Sequence, residues 1–485
     1  MTTKNGDLRD GRLVYFEGKK VEDFSSIRVF ADTLKVIQRY YELQEEEPEV
    51  FTYEEGGKRY SRTFFTPKNA NDLAMKRKAY ARIASVSYGM LGRTPDFINA
   101  GVAILENYAE NLGVGEYTNF AENIKNWAKM VKEEDLFVSH ALQNPQVDRS
   151  KTMNQLLKEG HEFAGVWVKE SYRDGIVVQG AKMVNTLAPL ADELLVFNVP
   201  NLSPEDNKFG LAFSVPLATK GVKVMTRKSS AKYDYSVADY PLSNRFDELD
   251  AFLIFEDVFI PWERVFVFGS AKKSNQFFEK SGLFMHTAHQ DEVRGVVKLE
   301  FVTALAKRIA ISLGLTDFLR VQEMLGKLTR NLELVRGTLH FAEVSGHEEF
   351  GVFTPNMQSL LAVRDSLPEM YDEVLSAIQE FSAGSIVGVP DVRDFAGENA
   401  DSLENALSSP LLSAKERTIL LNLAWDVTGE SFGQRQRAYE HLHGGNTMWI
   451  KVEHWQHEDL SFGEKMLKDA LNVARTAFDE EVKGK

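Results

Sequence analysis

Apolar positions recur at three- and four-residue spacing in the first quarter of the chain. Phe30, Leu34, Ile37 and Tyr41 share one helical face, and Phe97, Ile98, Val102, Leu105 and Tyr108 share another behind the start signal Pro95-Asp96. Thr118 to Ser139 reads as a third, amphipathic helix with lysines outward. From about Gly160 to Val267 the period shortens. Ala164–Val168 is short and β-rich, and the Asp174-Gly175 step after Tyr172 predicts a hairpin. Further strand-like runs are Leu194–Val199, Leu211–Val215, Val222–Met225 and Ala251–Ile260, separated by Gly210, Pro216, Gly221 and Pro261. From Phe284 onward the helical period returns. Val293, Val296, Val297, Phe301, Leu305, Ile309 and Leu313 line a long helix, and Leu325–Glu343, Asn356–Gln379, Ala414–Thr428 and Lys465–Glu480 continue the pattern. Gly384–Leu411 reads as loop, and Glu45-Glu46-Glu47 before Pro48 as a solvated linker.

The order of these zones predicts an α+β chain, mainly α: an N-terminal helical domain over 1–155, a middle β-barrel-like domain over 156–270 and a C-terminal helical bundle over 271–485. Doubly wound folds and TIM barrels alternate strand and helix throughout, so neither fits. The order is similar to the acyl-CoA dehydrogenase-like architecture, which holds a flavin between the β domain and the bundle.

Composition then narrows the chemistry. The chain has 485 residues, 57 Lys+Arg against 71 Asp+Glu, a formal net charge of -14, and no cysteine. An acidic balance argues against nucleic-acid binding. Zero cysteine excludes thiolate zinc, cysteine-held iron–sulfur clusters, a Cys nucleophile and a redox dithiol. No apolar run reaches the roughly 18 residues of a membrane helix, and Met1–Asp10 lacks the apolar core of a signal peptide, so a cytoplasmic protein without membrane contact is expected.

Candidate motifs are few. Gly113-Val114-Gly115 lacks the third glycine of a dinucleotide loop and lies between helical stretches, so a redox role needs reducing equivalents from outside. His286, His289 and Asp291 have metal-like spacing, as do His454 with His457 and Glu440 with His443. A di-iron bundle requires more carboxylates than these supply. They are expected to be core or surface histidines, with no metal. Two polar segments stand out. In Gly89–Phe97, Arg93 precedes a helix start; Thr94 or Asp96 as a plain cap and Arg93 in a salt bridge is the competing reading. In Val138–Arg149, a dense polar loop carries His140, Asn144, Gln146, Asp148 and Arg149, and is either functional or a solvated connection.

These segments occur in order with others: Arg9–Arg12, Val14–Phe16, Gly92–Asp96, Asn144–Arg149, Gly180–Thr186, Ala188–Glu193, Pro241–Glu248, Phe255–Val265 and, more weakly, Phe432-Gly433, Tyr439-Glu440 and Gly444-Gly445. On them the chain resembles the oxygenase component of the 4-hydroxyphenylacetate 3-monooxygenase family, the two-component, reduced-flavin-dependent phenol hydroxylases. The resemblance spans nearly the whole chain. It implies a homotetramer that takes FAD as FADH2 from a separate NAD(P)H:flavin reductase, uses O2, and hydroxylates a small phenol through a flavin C4a-hydroperoxide. It implies that Arg93, Phe97 and His140 hold the phenol, with Arg93 and His140 catalytic. His140, Gln146, Val147, Asp148, Arg149, Thr186, Gly444, Gly445, Asn446 and Thr447 would contact the flavin.

Two departures fall on substrate contacts. Phe97 stands where the family has a tyrosine, and the Asn198–Asn207 loop has no placeable Ser-Thr pair for a substrate carboxylate. A halogenated, nitro or carrier-bound phenol is therefore an alternative to 4-hydroxyphenylacetate. The competing functions are an acyl-CoA dehydrogenase-type flavoprotein and a flavin-binding scaffold without chemistry. The iron–sulfur 4-hydroxybutyryl-CoA dehydratases, which share this fold, are excluded by the missing cysteines.

Overall fold

The Asp-Gly hairpin forms as the turn chemistry requires. Trp167–Ser171 and Gly175–Asn185 pair antiparallel, closed by Tyr172 N–H donating to the Gly175 carbonyl at 2.8 Å. The computed structural model describes residues 2–445 and 447–484. The hairpin is the edge of a six-stranded sheet that continues through Ala251–Pro261, Val222–Thr226, Leu13–Phe16 and Lys19–Lys20. A second sheet of four strands runs Val265–Val267, Ala212–Pro216, Glu193–Val196, Val138–Ala141.

Two strands reach the sheets from the N-terminal zone. Leu13–Phe16 pairs parallel with Val222–Thr226, and Val138–Ala141 pairs parallel with Glu193–Val196. The helix expected through Ser139 ends earlier, at Glu134, where Asp135 turns left-handed with φ 50°. Every residue of Val138–Ala141 is buried, so this edge strand, not a helix end, carries His140. Apolar side chains can satisfy either period over so short a run, which is why the boundary was misplaced.

The N-terminal helices Arg28–Glu46, Asp96–Tyr108 and Phe120–Glu134 pack one core with both sheets, joining Phe30, Ile37, Leu105, Trp127, Leu194, Phe213 and Leu253. The acidic run is not a linker. Glu45 and Glu46 finish the first helix, and Glu45, Glu46 and Glu47 pair with Arg59, Arg39 and Arg82. A second core lies within the C-terminal bundle, where Leu299, Val302, Ile309, Leu360, Val374 and Ile378 meet. The helices there are Leu283–Ser312, Leu319–Val344, Met357–Ser382, Ala414–Thr428, Ser431–Leu442, Thr447–His457 and Ser461–Lys483. The span read as loop, 384–411, also holds a helix, Ala400–Leu407.

Leu283–Ser312 is the axle of the molecule. It is buried on almost every side and packs against Ala70–Val86, Asp96–Tyr108 and Met357–Ser382. Its polar residues His289, Asp291, Glu292, Arg294 and Lys298 are all at or below 1% exposed, so each must find a partner inside the protein. The result is the mainly α, acyl-CoA dehydrogenase-like architecture expected.

Candidate functional site

The Gly92–Phe97 turn delivers Arg93 to the interior. Gly92 has no room for a side chain, because the Tyr439 hydroxyl occupies the place a Cβ would take; its N–H donates to Glu248 Oε1. Thr94 Oγ1 donates to Asp96 Oδ1 at 2.6 Å, and Gln290 Nε2 donates to Asp96 Oδ2 at 2.7 Å. Burial pushes the Asp96 carboxyl up to about 6. The turn is thus bolted to the long helix, and Arg93 leaves it at a set angle.

Arg93, Phe97 and His140 come together. The Arg93 guanidinium lies 3.8 Å from the Phe97 ring centre, and the Phe97 and His140 rings meet edge to face at 5.6 Å. Arg93 Nη1 is 3.1 Å from Asp291 Oδ1, both side chains buried. Burial opposes the Arg93 charge, but Asp291, Tyr439 and Glu248 together raise the guanidinium pKa. Burial, then the Arg93 charge, pushes the His140 imidazole down to about 3, so His140 is neutral at pH 7. Its Nδ1 is buried without a hydrogen-bond partner. An orphaned ring nitrogen beside a fixed cation and an aromatic face can accept a hydrogen bond from a hydroxyl group held against Arg93.

Around this trio lie residues that the sequence patterns did not single out for this site. Asp291, read as one member of a metal-like spacing, accepts from Arg93, Arg294, Arg364 and His443. Tyr439 stacks on His443, with ring centroids 4.3 Å apart, and faces the Arg93, Arg294 and Arg435 guanidinium groups. Glu440 takes Arg294 at 2.5 Å and Lys298 at 2.8 Å. His286 contacts Thr354, and His289 contacts Glu343 at 2.9 Å. Among the described residues no group of three or more His, Cys, Asp or Glu could hold a metal ion.

Arg93, Arg294, Lys298 and Arg364 face Asp291 and Glu440, whose carboxyls these cations hold well below the usual range, while burial pushes the Glu292 carboxyl up. Glu248 lies among them and shares Arg435 with Asp250.

The remaining expected flavin contacts lie at different depths. Thr186 is buried; its hydroxyl donates to Asp250 at 2.8 Å, and its carbonyl accepts from Ser139, the neighbour of His140. Gln146, Val147 and Arg149 are exposed; Arg149 bonds Gln146, and Asp148 caps Ser150. Their loop is anchored through Lys182, whose ammonium donates to the Leu142 carbonyl, Asn144, the Phe197 carbonyl and Asn198 at 2.8–3.0 Å. Gly444 lies against the Arg364 side chain, where a Cβ would come 2.6 Å from Nε. Gly445 adopts φ 98°, and Thr447 opens the next helix. Asn446 lies outside the described residues.

Family models described as 4-hydroxyphenylacetate 3-hydroxylase N terminal and C terminal match residues 6–267 and 274–472. The 4-hydroxyphenylacetate 3-monooxygenase oxygenase component of Thermus thermophilus is 35% identical over 436 residues, 89% of each chain. A carrier-protein-bound 3-chloro-4-hydroxyphenyl propanoyl monooxygenase of Streptomyces globisporus is 32% identical over 92% of this chain and 85% of that one. A crystal structure of an oxygenase component (HpaB) complexed with FAD and 4-hydroxyphenylacetate superposes with TM-score 0.91 at 32% identity, covering 99% of this chain and 100% of that one.

Proposed function

The chain belongs to the 4-hydroxyphenylacetate 3-hydroxylase family, and from that membership we propose that it is the oxygenase component of a two-component monooxygenase, hydroxylating a phenol ortho to its hydroxyl group with FADH2 and O2. The observation that carries this reading is the buried trio of Arg93, Phe97 and His140. A guanidinium, an aromatic wall and a neutral imidazole with a free nitrogen are what a phenol needs to be bound and ionised.

A free phenol ionises near pKa 10. Arg93, permanently charged, lowers that value by stabilising the phenolate oxygen, and neutral His140 accepts a hydrogen bond from the phenol hydroxyl. The ionised ring is electron-rich at its ortho carbon and is the better nucleophile toward an electrophilic oxygen. Phe97 keeps the ring face and contributes no hydroxyl, so Arg93 and His140 carry the polar contacts alone. The burial of all three excludes water from the reacting atoms.

The buried, unpartnered Nε and Nη1 of Arg364 beside Gly444 suit an anionic cofactor, so the residues fit a reduced flavin. Thr186, the Gln146-Val147-Asp148-Arg149 loop, Gly444, Gly445 and Thr447 would hold it, together with His140. FADH2 with O2 supplies the oxygen atom that enters the ring. The reduced flavin comes from a separate NAD(P)H:flavin reductase. The cytoplasm, where NAD(P)H is regenerated, is the compartment this partnership requires. Among the described residues no helix is long and apolar enough to cross a membrane.

A homo-oligomer, a tetramer by family resemblance, completes the proposal. The helix Ser461–Lys483 is exposed along its length, with Phe462, Leu467, Val473 and Phe478 uncovered, and Leu334, Phe341 and Val344 are exposed on Leu319–Val344. A second copy would cover such faces. Light scattering on the eluted peak reads the mass directly.

The decisive assay combines the full chain with a flavin reductase, NADH, FAD, O2 and a panel of phenols including 4-hydroxyphenylacetate. The expected product is substrate plus one oxygen by mass. Hydrogen peroxide alone with every phenol would sink the proposal.

A further inference from the structure

We propose that Asp291 is a positioning residue that links the flavin segment to the phenol-holding Arg93, so that occupancy of one site favours the other. The proposal rests on the site reading above and adds to it a coupling between the two ligands.

Asp291 is completely buried, and its two oxygens face two sides. Oδ1 takes Arg93 Nη1 at 3.1 Å and Arg294 Nη2 at 3.3 Å. Oδ2 takes His443 Nε2 at 2.8 Å and Arg364 Nη2 at 3.3 Å. The two groups on Oδ2 are the supports of the segment that begins at Gly444. His443 precedes it directly, and Gly444 rests on the Arg364 side chain. The group on Oδ1 that matters to the phenol is Arg93.

A carboxylate is rigid and planar, so turning it about its stem moves both oxygens together. A ligand that orders Gly444–Thr447 fixes His443 and Arg364, hence Oδ2, hence Oδ1 and the Arg93 guanidinium. Arg364 is also incompletely used. Its Nε and Nη1 are buried with no hydrogen-bond partner, and Glu292 Oε1 lies 3.6 Å from Nε. Those donors are available to a negatively charged group arriving on the Gly444 side.

By linkage, if reduced flavin improves phenol binding, phenol improves flavin binding by the same factor. The test is equilibrium dialysis of the full chain under nitrogen, with 4-hydroxyphenylacetate as the phenol probe, without and with saturating FADH2. No turnover occurs without oxygen. In the unmodified protein FADH2 should raise phenol affinity by at least about fivefold, the lower end of ordinary coupling. In His443→Asn, and separately in Asp291→Asn, each ligand should still bind and the factor should fall to near one. Circular dichroism identifies a variant that does not fold, and the other then decides. A factor of one in the unmodified protein overturns the coupling, as does retention of the original factor in a folded variant. Loss of all FADH2 binding in the folded variants overturns it too, because those residues would then belong to the flavin site itself. If the unmodified protein binds neither ligand, it is the function proposed above that fails.

Discussion

The Arg93 guanidinium lies over the ring of Phe97, 3.8 Å from its centre, while Asp291 Oδ1 lies 3.1 Å from its Nη1. An aromatic face and a carboxylate together restrict the orientation in which the cation can meet a ligand. A cation–π contact of this kind contributes about 0.5–2 kcal/mol. Phe97→Leu keeps an apolar filler and removes the π face. The phenol KM should rise about two- to thirtyfold, the same energy expressed as a ratio, with a smaller change in kcat. Steady-state kinetics with saturating FADH2 decides it, and an unchanged KM would show that the ring does not orient Arg93.

Arg93→Ala removes the cation that ionises the phenol. Product formation should fall by about 100-fold or more, as when a positioned charge at a reacting atom is lost. FADH2 binding should remain, since the expected flavin contacts lie elsewhere. Flavin oxidation would continue and the lost product would appear as hydrogen peroxide. Measuring catechol and peroxide side by side separates this outcome from simple unfolding.

His140 makes stability depend on pH in a stated direction. Its ring is held neutral in the fold, with a pKa of about 3 against 6.5 unperturbed. Between those values the unfolded chain takes up a proton that the folded one refuses. Stability is therefore full above pH 6.5 and falls on acidification, by up to about 1.4 kcal/mol per pH unit through that window. His140→Phe cannot titrate and should show a flatter profile between pH 6.5 and pH 4 in urea unfolding. Equal slopes would mean that His140 is protonated in the folded state.

Lys182 ties three segments with one ammonium: strand Gly175–Asn185, the Leu142–Asn144 approach to the polar loop, and Phe197-Asn198. Lys182→Met would leave buried acceptors unpaired, at about 1–3 kcal/mol each where water cannot enter. A total loss of about 2–5 kcal/mol is expected, since partial relaxation is the rule. The urea midpoint reads the loss. Faster trypsin cleavage at Arg149 would report the loosened loop, and an unaltered cleavage rate would show that the loop is held by other contacts.

Much of the fold was legible in the chain because helix and strand periods are local. The long helix from Leu283, the bundle helices Leu319–Val344, Met357–Ser382, Ala414–Thr428 and Ser461–Lys483 and the Tyr172–Ile176 hairpin follow from spacing and turn residues alone, whereas Ser431–Leu442 and Thr447–His457 emerged only in the structure. The boundary before Val138 was not legible, because a four-residue buried run satisfies both periods. Arg93, Phe97 and His140 were named from their motifs, and the structure brings them into contact. Asp291 was visible only as part of His286-x-x-His289-x-Asp291. On a helix buried all round, spacing does not tell which partner each polar residue meets, and here the two histidines turn to Thr354 and Glu343 while Asp291 turns to Arg93.

By itself the sequence determined the class of chemistry. The missing cysteines and the missing dinucleotide loop excluded whole classes of cofactor, and the ordered motifs carried the resemblance that implies a reduced flavin and a phenol. Only the tertiary structure decided how those residues are charged. Arg93 and Asp291 lie 198 positions apart in the chain, and His443 and Arg364 lie farther along still. The Coulomb energy among them depends on separation in space and on exclusion of water, neither of which a local pattern encodes.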